Sequence, residues 1–292
     1  MTSKRLALIL IFFFASGSAL AGDWKSIAPG LDYQEFAEGN IDVHVARIDL
    51  TSDNLMVVTT RESEKGLKVS DYAKKNKALV AINGDYFDDK FNPVGLTIGP
   101  CGQWANTKDT SREGIVAVGS LRADIRKQSE VMDPPEDWIQ TAISGWPILV
   151  KECTPLTATE LPGSDVFTRS PHPRTAVGMT KDRKTLYLVV ADGRRTGVPG
   201  MKLADLGTFM HDRLDACWAI NLDGGGSSAM WVGDKVVNRP SDGVERRVAD
   251  HLAVILKSDF AGCDVPPAGL VTTTTTTTKT TTTVTTTTST QR

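Results

Sequence analysis

Alternation of apolar and polar residues dominates the chain. Ile41, Val43 and Val45 alternate with polar neighbours, the period of a strand with one buried face. Residues 55–58 form a second apolar run. Ser70 and Asp71 open a short helix reaching Asn76, with Ser70 as its cap. An apolar run over 79–82 then stops at Asn83-Gly84-Asp85-Tyr86-Phe87. Residues 115–118, 142–143 and 148–150 are further strand candidates. Two apolar stretches between Ala176 and Val190 flank the polar turn Lys181-Asp182-Arg183-Lys184, which predicts a hairpin.

Leu203, Leu206, Met210 and Leu214 fall on one helical face. That helix feeds Cys217-Trp218-Ala219-Ile220, which stops at Asn221-Leu222-Asp223-Gly224-Gly225-Gly226-Ser227-Ser228. Residues 252–256 close the pattern. Strands outnumber helices, so the expected fold is α+β: a mixed β-sheet core with packed helices, its strand-end loops forming one cleft. Ala81-Ile82-Asn83-Gly84-Asp85 and Ala219-Ile220-Asn221-Leu222-Asp223 share the pattern Ala-Ile-Asn-x-Asp. Each follows a helix and a short apolar strand, and two equivalent units or a coincidence would both give it.

The two ends of the chain differ from this middle. Lys4 and Arg5 precede an apolar run over 6–14, and Ala19-Leu20-Ala21 fits a signal-peptidase site. Residues 1–21 are therefore expected to be a signal peptide, and the protein secreted or periplasmic. After its removal no stretch approaches the ~20 apolar residues of a membrane-spanning helix. From Pro266-Pro267 onward, 266–292 is threonine-rich, has no apolar face to bury and is expected to be disordered. That leaves one domain over 22–265. A net charge of −2 and 7% aromatic residues give no nucleic-acid footprint. Cys101, Cys153, Cys217 and Cys263 permit two disulfides in three connectivities. Cys217, inside an apolar strand pattern, also reads as a buried free thiol.

Candidate chemistry gathers where strands end. Three successive glycines, Gly224, Gly225 and Gly226, let the backbone approach a ligand closely, and Ser227 and Ser228 add hydroxyls. Arg174, Arg194, Arg246 and Arg247 suit a phosphorylated ligand if they converge. Asp85, Asp192, Asp223 and Asp242 each lie beside Gly or Ser at or near a strand end; a glycosidase commonly needs two such carboxylates, one acid and one nucleophile or base, and a turn-forming Asp gives the same pattern. The four histidines form no H-x-H or HExxH arrangement, so any metal would rest on carboxylates, favouring calcium or magnesium. Ser144-Gly145-Trp146-Pro147 is not a nucleophile elbow.

At these residues the chain resembles the phosphodiester glycosidase family. The matching stretches are residues 81–87, Ser144-Gly145, residues 174–178, Ala191-Asp192-Gly193, residues 221–227, and the Ser241-Asp242 and Arg246 region. They occur in family order over about 75–257. The family often carries Gly where this chain has Asp85, which shifts weight to Asn83. Arg194 likewise replaces a polar residue. The resemblance implies a glycosidase acting on a sugar-1-phosphodiester; the export signal points to a glycan or cell-envelope polymer as its substrate, and a phosphomonoester leaving group to cleavage of the C1–O bond. The implied catalytic set is Asp192, Asp223, Asn83 and Asp85. Arg174, Asn221, Gly224, Gly225, Gly226, Ser227, Ser241, Asp242 and Arg246 would bind a phosphorylated carbohydrate. The alternatives are a carbohydrate- or phosphate-binding envelope protein without turnover, and a metal-dependent phosphodiesterase.

Overall fold

The computed structural model describes residues 23–107, 114–127, 135–263, 276–278 and 281–283. The signal peptide expected over 1–21 lies outside them, as does most of the threonine tail. Within that tail Thr276–Thr278 pairs antiparallel with Thr281–Thr283.

Three sheets build the domain. The largest has eight strands, in the order Lys25–Ala28, Leu31–Glu38, Ile41–Asp49, Thr185–Ala191, Arg174–Met179, Trp218–Asn221, Ile148–Lys151 and Thr154–Pro155. A five-stranded sheet runs Lys235–Val236, Met230–Val232, Val80–Asn83, His251–Leu256 and Leu55–Thr59. A second five-stranded sheet runs Gly102–Gln103, Ile98–Gly99, Thr141–Gly145, Gly114–Gly119 and Arg122–Lys127.

Every pairing among these strands is antiparallel, which corrects the expectation of a mixed sheet. Strands Thr185–Ala191 and Trp218–Asn221, joined through a helix, run parallel but are not neighbours. Instead Arg174–Met179 lies between them and pairs antiparallel with both.

Strand periodicity explains the layers. Leu186, Leu188 and Val190 face a central core, while Tyr187, Val189 and Ala191 face the opposite side of the same sheet. The central core also takes Val80, Ile82, Val116, Ile143, Ile220 and Val254, so it joins all three sheets. Helix α1 (Val69–Lys75) covers the outer face of the second sheet with Val69, Tyr72 and Ala73. Helix α2 (Asp165–Arg169) is a single short turn. Helix α3 (Leu203–Leu214) covers the outer face of the large sheet with Leu203, Leu206, Met210 and Leu214, the four residues its periodicity singled out.

Ser70 is not the cap of α1. The N-cap is Lys68, and Ser70 sits inside the first turn. Its N–H and hydroxyl donate to the Glu245 carboxylate at 2.9 and 2.5 Å. A carboxylate from another segment thus meets the positive end of the helix.

Both disulfides form: Cys101–Cys263 and Cys153–Cys217. Cys217 is buried, as its strand context implied, but it is not a free thiol. Among the described residues no helix is long and apolar enough to cross a membrane.

Candidate active site

Two strand ends from different sheets meet at the candidate site. Asn83 ends Val80–Asn83 and is fully buried. Its Nδ2 donates to the Asp223 carbonyl at 2.7 Å, and its Oδ1 accepts from Thr175 Oγ1 at 2.8 Å and from the Ala229 N–H at 3.3 Å. Thr175 Oγ1 also lies 3.1 Å from Ser228 Oγ. The Asp223 N–H donates in turn to the Gly84 carbonyl at 3.2 Å. Asn83 therefore sets the backbone of the segment carrying Asp223, with its side-chain oxygen and one amide hydrogen engaged by protein partners.

Asn221 ends the equivalent strand of the large sheet. Its Nδ2 lies 2.7 Å from the Tyr86 hydroxyl and 2.9 Å from the Trp146 carbonyl. The Trp146 ring stacks on Phe167 with centroids 5.1 Å apart. Tyr86 and Trp146 are both partly exposed, so this corner presents aromatic surface beside the strand ends.

The triple glycine serves close approach. A Cβ at Gly226 would stand 2.2 Å from Arg246 Nη2 and from Asp242 Oδ2, and one at Gly225 would stand 3.0 Å from Arg194 Nη2. Gly225 also has φ +61, a conformation other residues rarely adopt. Two guanidinium groups consequently lie against one glycine loop. Arg246 pairs with Asp242 at 2.6 Å and reaches 3.5 Å from Ser227 Oγ, with Ser241 next in the chain. Among the described residues no carboxylate lies within ion-pair distance of Arg194. The loop amides are partly used internally: Gly224 N–H donates to Asp223 Oδ1 and Gly225 N–H to the Pro173 carbonyl, each at 2.9 Å.

Arg174 is only 2% exposed. Its Nε donates to the Met201 carbonyl at 3.0 Å, and its Nη2 to the Phe167 and Ser170 carbonyls at 2.6 and 3.2 Å. Burial brings this guanidinium down to about 10. These bonds bind the α2 segment to the strand end.

The four aspartates separate by environment. Burial pushes the Asp223 carboxyl up to about 6, against the lowering effect of Ser227, the Gly224 N–H and Arg246. Asp85 is raised well above the ordinary range, by burial first and then by the Asp250 carboxylate. Its N–H donates to Asp250 Oδ1 at 2.7 Å, Thr97 Oγ1 donates to its Oδ2 at 2.8 Å, and the Ser144 N–H donates to its Oδ1. Asp192 is 2% exposed and belongs to another network. It accepts from Asn238 Nδ2, the Arg239 N–H and Arg195 Nη2, each at 3.0 Å. Asp242 is at the surface, paired with Arg246.

Sequence reasoning missed Asp250 and Thr175. Asp250 carried a signal, an acid standing between Ala249 and His251 at the head of an apolar strand. Thr175 carried a weak one, its place in the stretch 174–178 that resembles the family.

The phosphodiester glycosidase family model matches residues 76–255, and the chain belongs to that family. A curated relative is an uncharacterised SPbeta prophage-derived protein of Bacillus subtilis (strain 168), 37% identical over 112 residues. That match covers 38% of this chain and 17% of the relative. Among solved structures, the zebrafish N-acetylglucosamine-1-phosphodiester α-N-acetylglucosaminidase catalytic domain, auto-inhibited by its pro-peptide, aligns with a TM-score of 0.62 and 21% identity. The alignment covers 80% of this chain and 86% of that one. A hypothetical protein from Synechocystis aligns with a TM-score of 0.59 and 16% identity, covering 82% and 65%. A putative exported protein of Burkholderia pseudomallei K96243 gives 0.55 and 18%, covering 74% of each. At these identities the solved structures establish a shared fold.

Proposed function

We propose that this chain is an exported hydrolase that cleaves the C1–O bond of a sugar-1-phosphodiester in a glycan or cell-envelope polymer. The observation that carries the reading is Asp223, with its carboxyl raised to about 6, on a glycine loop flanked by Arg194 and Arg246. Membership of the phosphodiester glycosidase family supports the reaction class, and two disulfides suit an oxidising compartment.

The chemistry follows from the leaving group. A phosphomonoester departs as a stable anion, so fixed positive charge assists it more than a proton does. Arg194 and Arg246 supply that charge from either side of the loop. The sequence reading gave this task to Arg174 with the Gly224–Gly226 amides, but the three bonds of Arg174 to carbonyls leave it better suited to positioning α2. Ionised Asp223 takes a proton from the water that attacks C1 as the C1–O bond breaks. Asn83 and Asn221 hold the two strand ends in register, and Tyr86 and Trp146 offer the sugar an aromatic wall. Asp192 anchors the 238–239 segment, and Asp85 with Asp250 underlies the Asn83 turn.

The test is hydrolysis of a synthetic N-acetylglucosamine α-1-phosphodiester in heavy-oxygen water. Label in the released sugar and none in the phosphate is expected, with loss of turnover in Asp223→Ala. Label in the phosphate would overturn C1–O cleavage. Tight binding without products would favour an envelope binding protein.

A further inference from the structure

Beside the candidate active site, the strand pair Leu31–Glu38 and Ile41–Asp49 meets the end of Thr185–Ala191 and brings Asp42, His44 and Asp192 together. One ligand atom from each lies within 4.8 Å of the others. His44 is 2% exposed, and its Nε2 has no hydrogen-bond partner; neither has Asp42 Oδ1. These two unsatisfied atoms face each other at 3.4 Å. Such atoms are costly to bury without a partner.

From this juxtaposition we infer that Asp42, His44 and Asp192 form a binding site for a zinc-class divalent cation. Two ligand atoms each ~2.0–2.1 Å from a tetrahedral ion stand ~3.3–3.4 Å apart, the separation found between Asp42 Oδ1 and His44 Nε2. The third ligand is Asp192, already oriented by Asn238 and the Arg239 N–H.

The outer contacts suit the same purpose. His44 Nδ1 lies 2.8 Å from the Tyr33 hydroxyl, so a proton on Nδ1 leaves Nε2 free as the ligand. An imidazole in the donor set favours zinc over the calcium or magnesium expected of carboxylates alone.

One protein group competes. Arg195 Nη2 bridges Asp42 Oδ2 at 2.6 Å and Asp192 Oδ2 at 3.0 Å. It uses the other Asp42 oxygen, so Asp42 can hold both charges, while Asp192 must share or exchange. The site would tie the 31–49 hairpin to the segment that leads through Asn238 and Arg239 toward Asp242. It stands independently of the reaction proposed above, because none of its three ligands is needed for the Asp223 chemistry.

The test uses the full chain with disulfides intact, stripped with a chelator and titrated calorimetrically with zinc chloride at neutral pH. One zinc per chain is expected, with a rise in Tm that the chelator reverses. Asp42→Asn should weaken uptake at least ~10-fold, and Arg195→Ala should strengthen it by removing the competing cation. His44→Gln tests the nitrogen ligand. No stoichiometric uptake by the folded chain would overturn the inference. So would uptake indifferent to Asp42→Asn and His44→Gln, or uptake by Arg195→Ala alone.

Discussion

The side-chain amide of Asn83 donates to the main-chain carbonyl of Asp223 across 2.7 Å, joining strand ends that belong to two different sheets. Its acceptor oxygen meanwhile serves Thr175 and Ala229. One buried residue thus holds three segments at the height of the glycine loop. Asn83→Ala would strand several buried polar groups at once, and a loss of about 2–4 kcal/mol is expected. Urea unfolding measures it; Asn83→Asp, which keeps the acceptor and loses the donor, should also destabilise.

Asp223 links stability to pH in a definite direction. Its folded pKa of about 6 lies above the ordinary aspartate value, so folding is penalised once the carboxylate ionises. The sign is that of a raised group: its contribution is fully present below about pH 4 and is lost as pH rises through 6. Asp223→Asn should therefore be more stable than the parent at pH 8, by about 1–2 kcal/mol, and equal to it near pH 4. Thermal unfolding at the two pH values checks this. An unchanged difference between them would mean that the carboxyl is not raised.

If ionised Asp223 is the base, kcat/KM should fall about tenfold per pH unit below pH 6. A profile that instead declines above pH 6 would assign the residue as an acid. The same measurement on Asp192→Asn should keep the inflection, since Asp192 has its own partners.

Gly226→Ala separates function from folding. The added Cβ would collide with the ends of Arg246 and Asp242, the tips of half-exposed side chains that can turn toward solvent. Unfolding should shift by no more than about 1–2 kcal/mol. Turnover of a phosphodiester substrate should fall by about 10–100-fold, because the guanidinium can no longer lie on the loop. A loss of stability matching the loss of activity would argue against that division.

Reduction should cost the fold a substantial share of its stability. The two bridges close loops spanning 162 and 64 positions, and loss of a native disulfide typically removes about 2–5 kcal/mol. A lower Tm in dithiothreitol is expected, with serine replacement at Cys101 and Cys153 apportioning it.

Much of this arrangement was legible in the chain. The shared Ala-Ile-Asn-x-Asp pattern falls on the ends of two strands, Val80–Asn83 and Trp218–Asn221. Ala81 faces the α1 side of its sheet and Ala219 the α3 side, while Ile82 and Ile220 both enter the central core. The Asn residues then stand at the two strand ends. The hairpin read over 176–190, observed over 174–191, and the buried face of α3 followed from periodicity. Strand Leu31–Glu38 was missed because Gln34 and Glu35 sit together in its middle and break the alternation. The mixed-sheet expectation failed because local pattern does not reveal that a third strand intervenes between two parallel ones. Site geometry was less legible. An arginine at a strand end reads alike whether it meets a ligand or, like Arg174, three carbonyls of its own chain.

The Cys101–Cys263 bridge has a mechanical consequence. A pull on anything following Cys263 passes through a covalent link into the turn between Ile98–Gly99 and Gly102–Gln103. Strand His251–Leu256 is thereby bypassed as a load-bearing path. Under tension from that side, the oxidised domain would yield by tearing at the 98–103 hairpin, whereas the reduced one would unzip from its last strand.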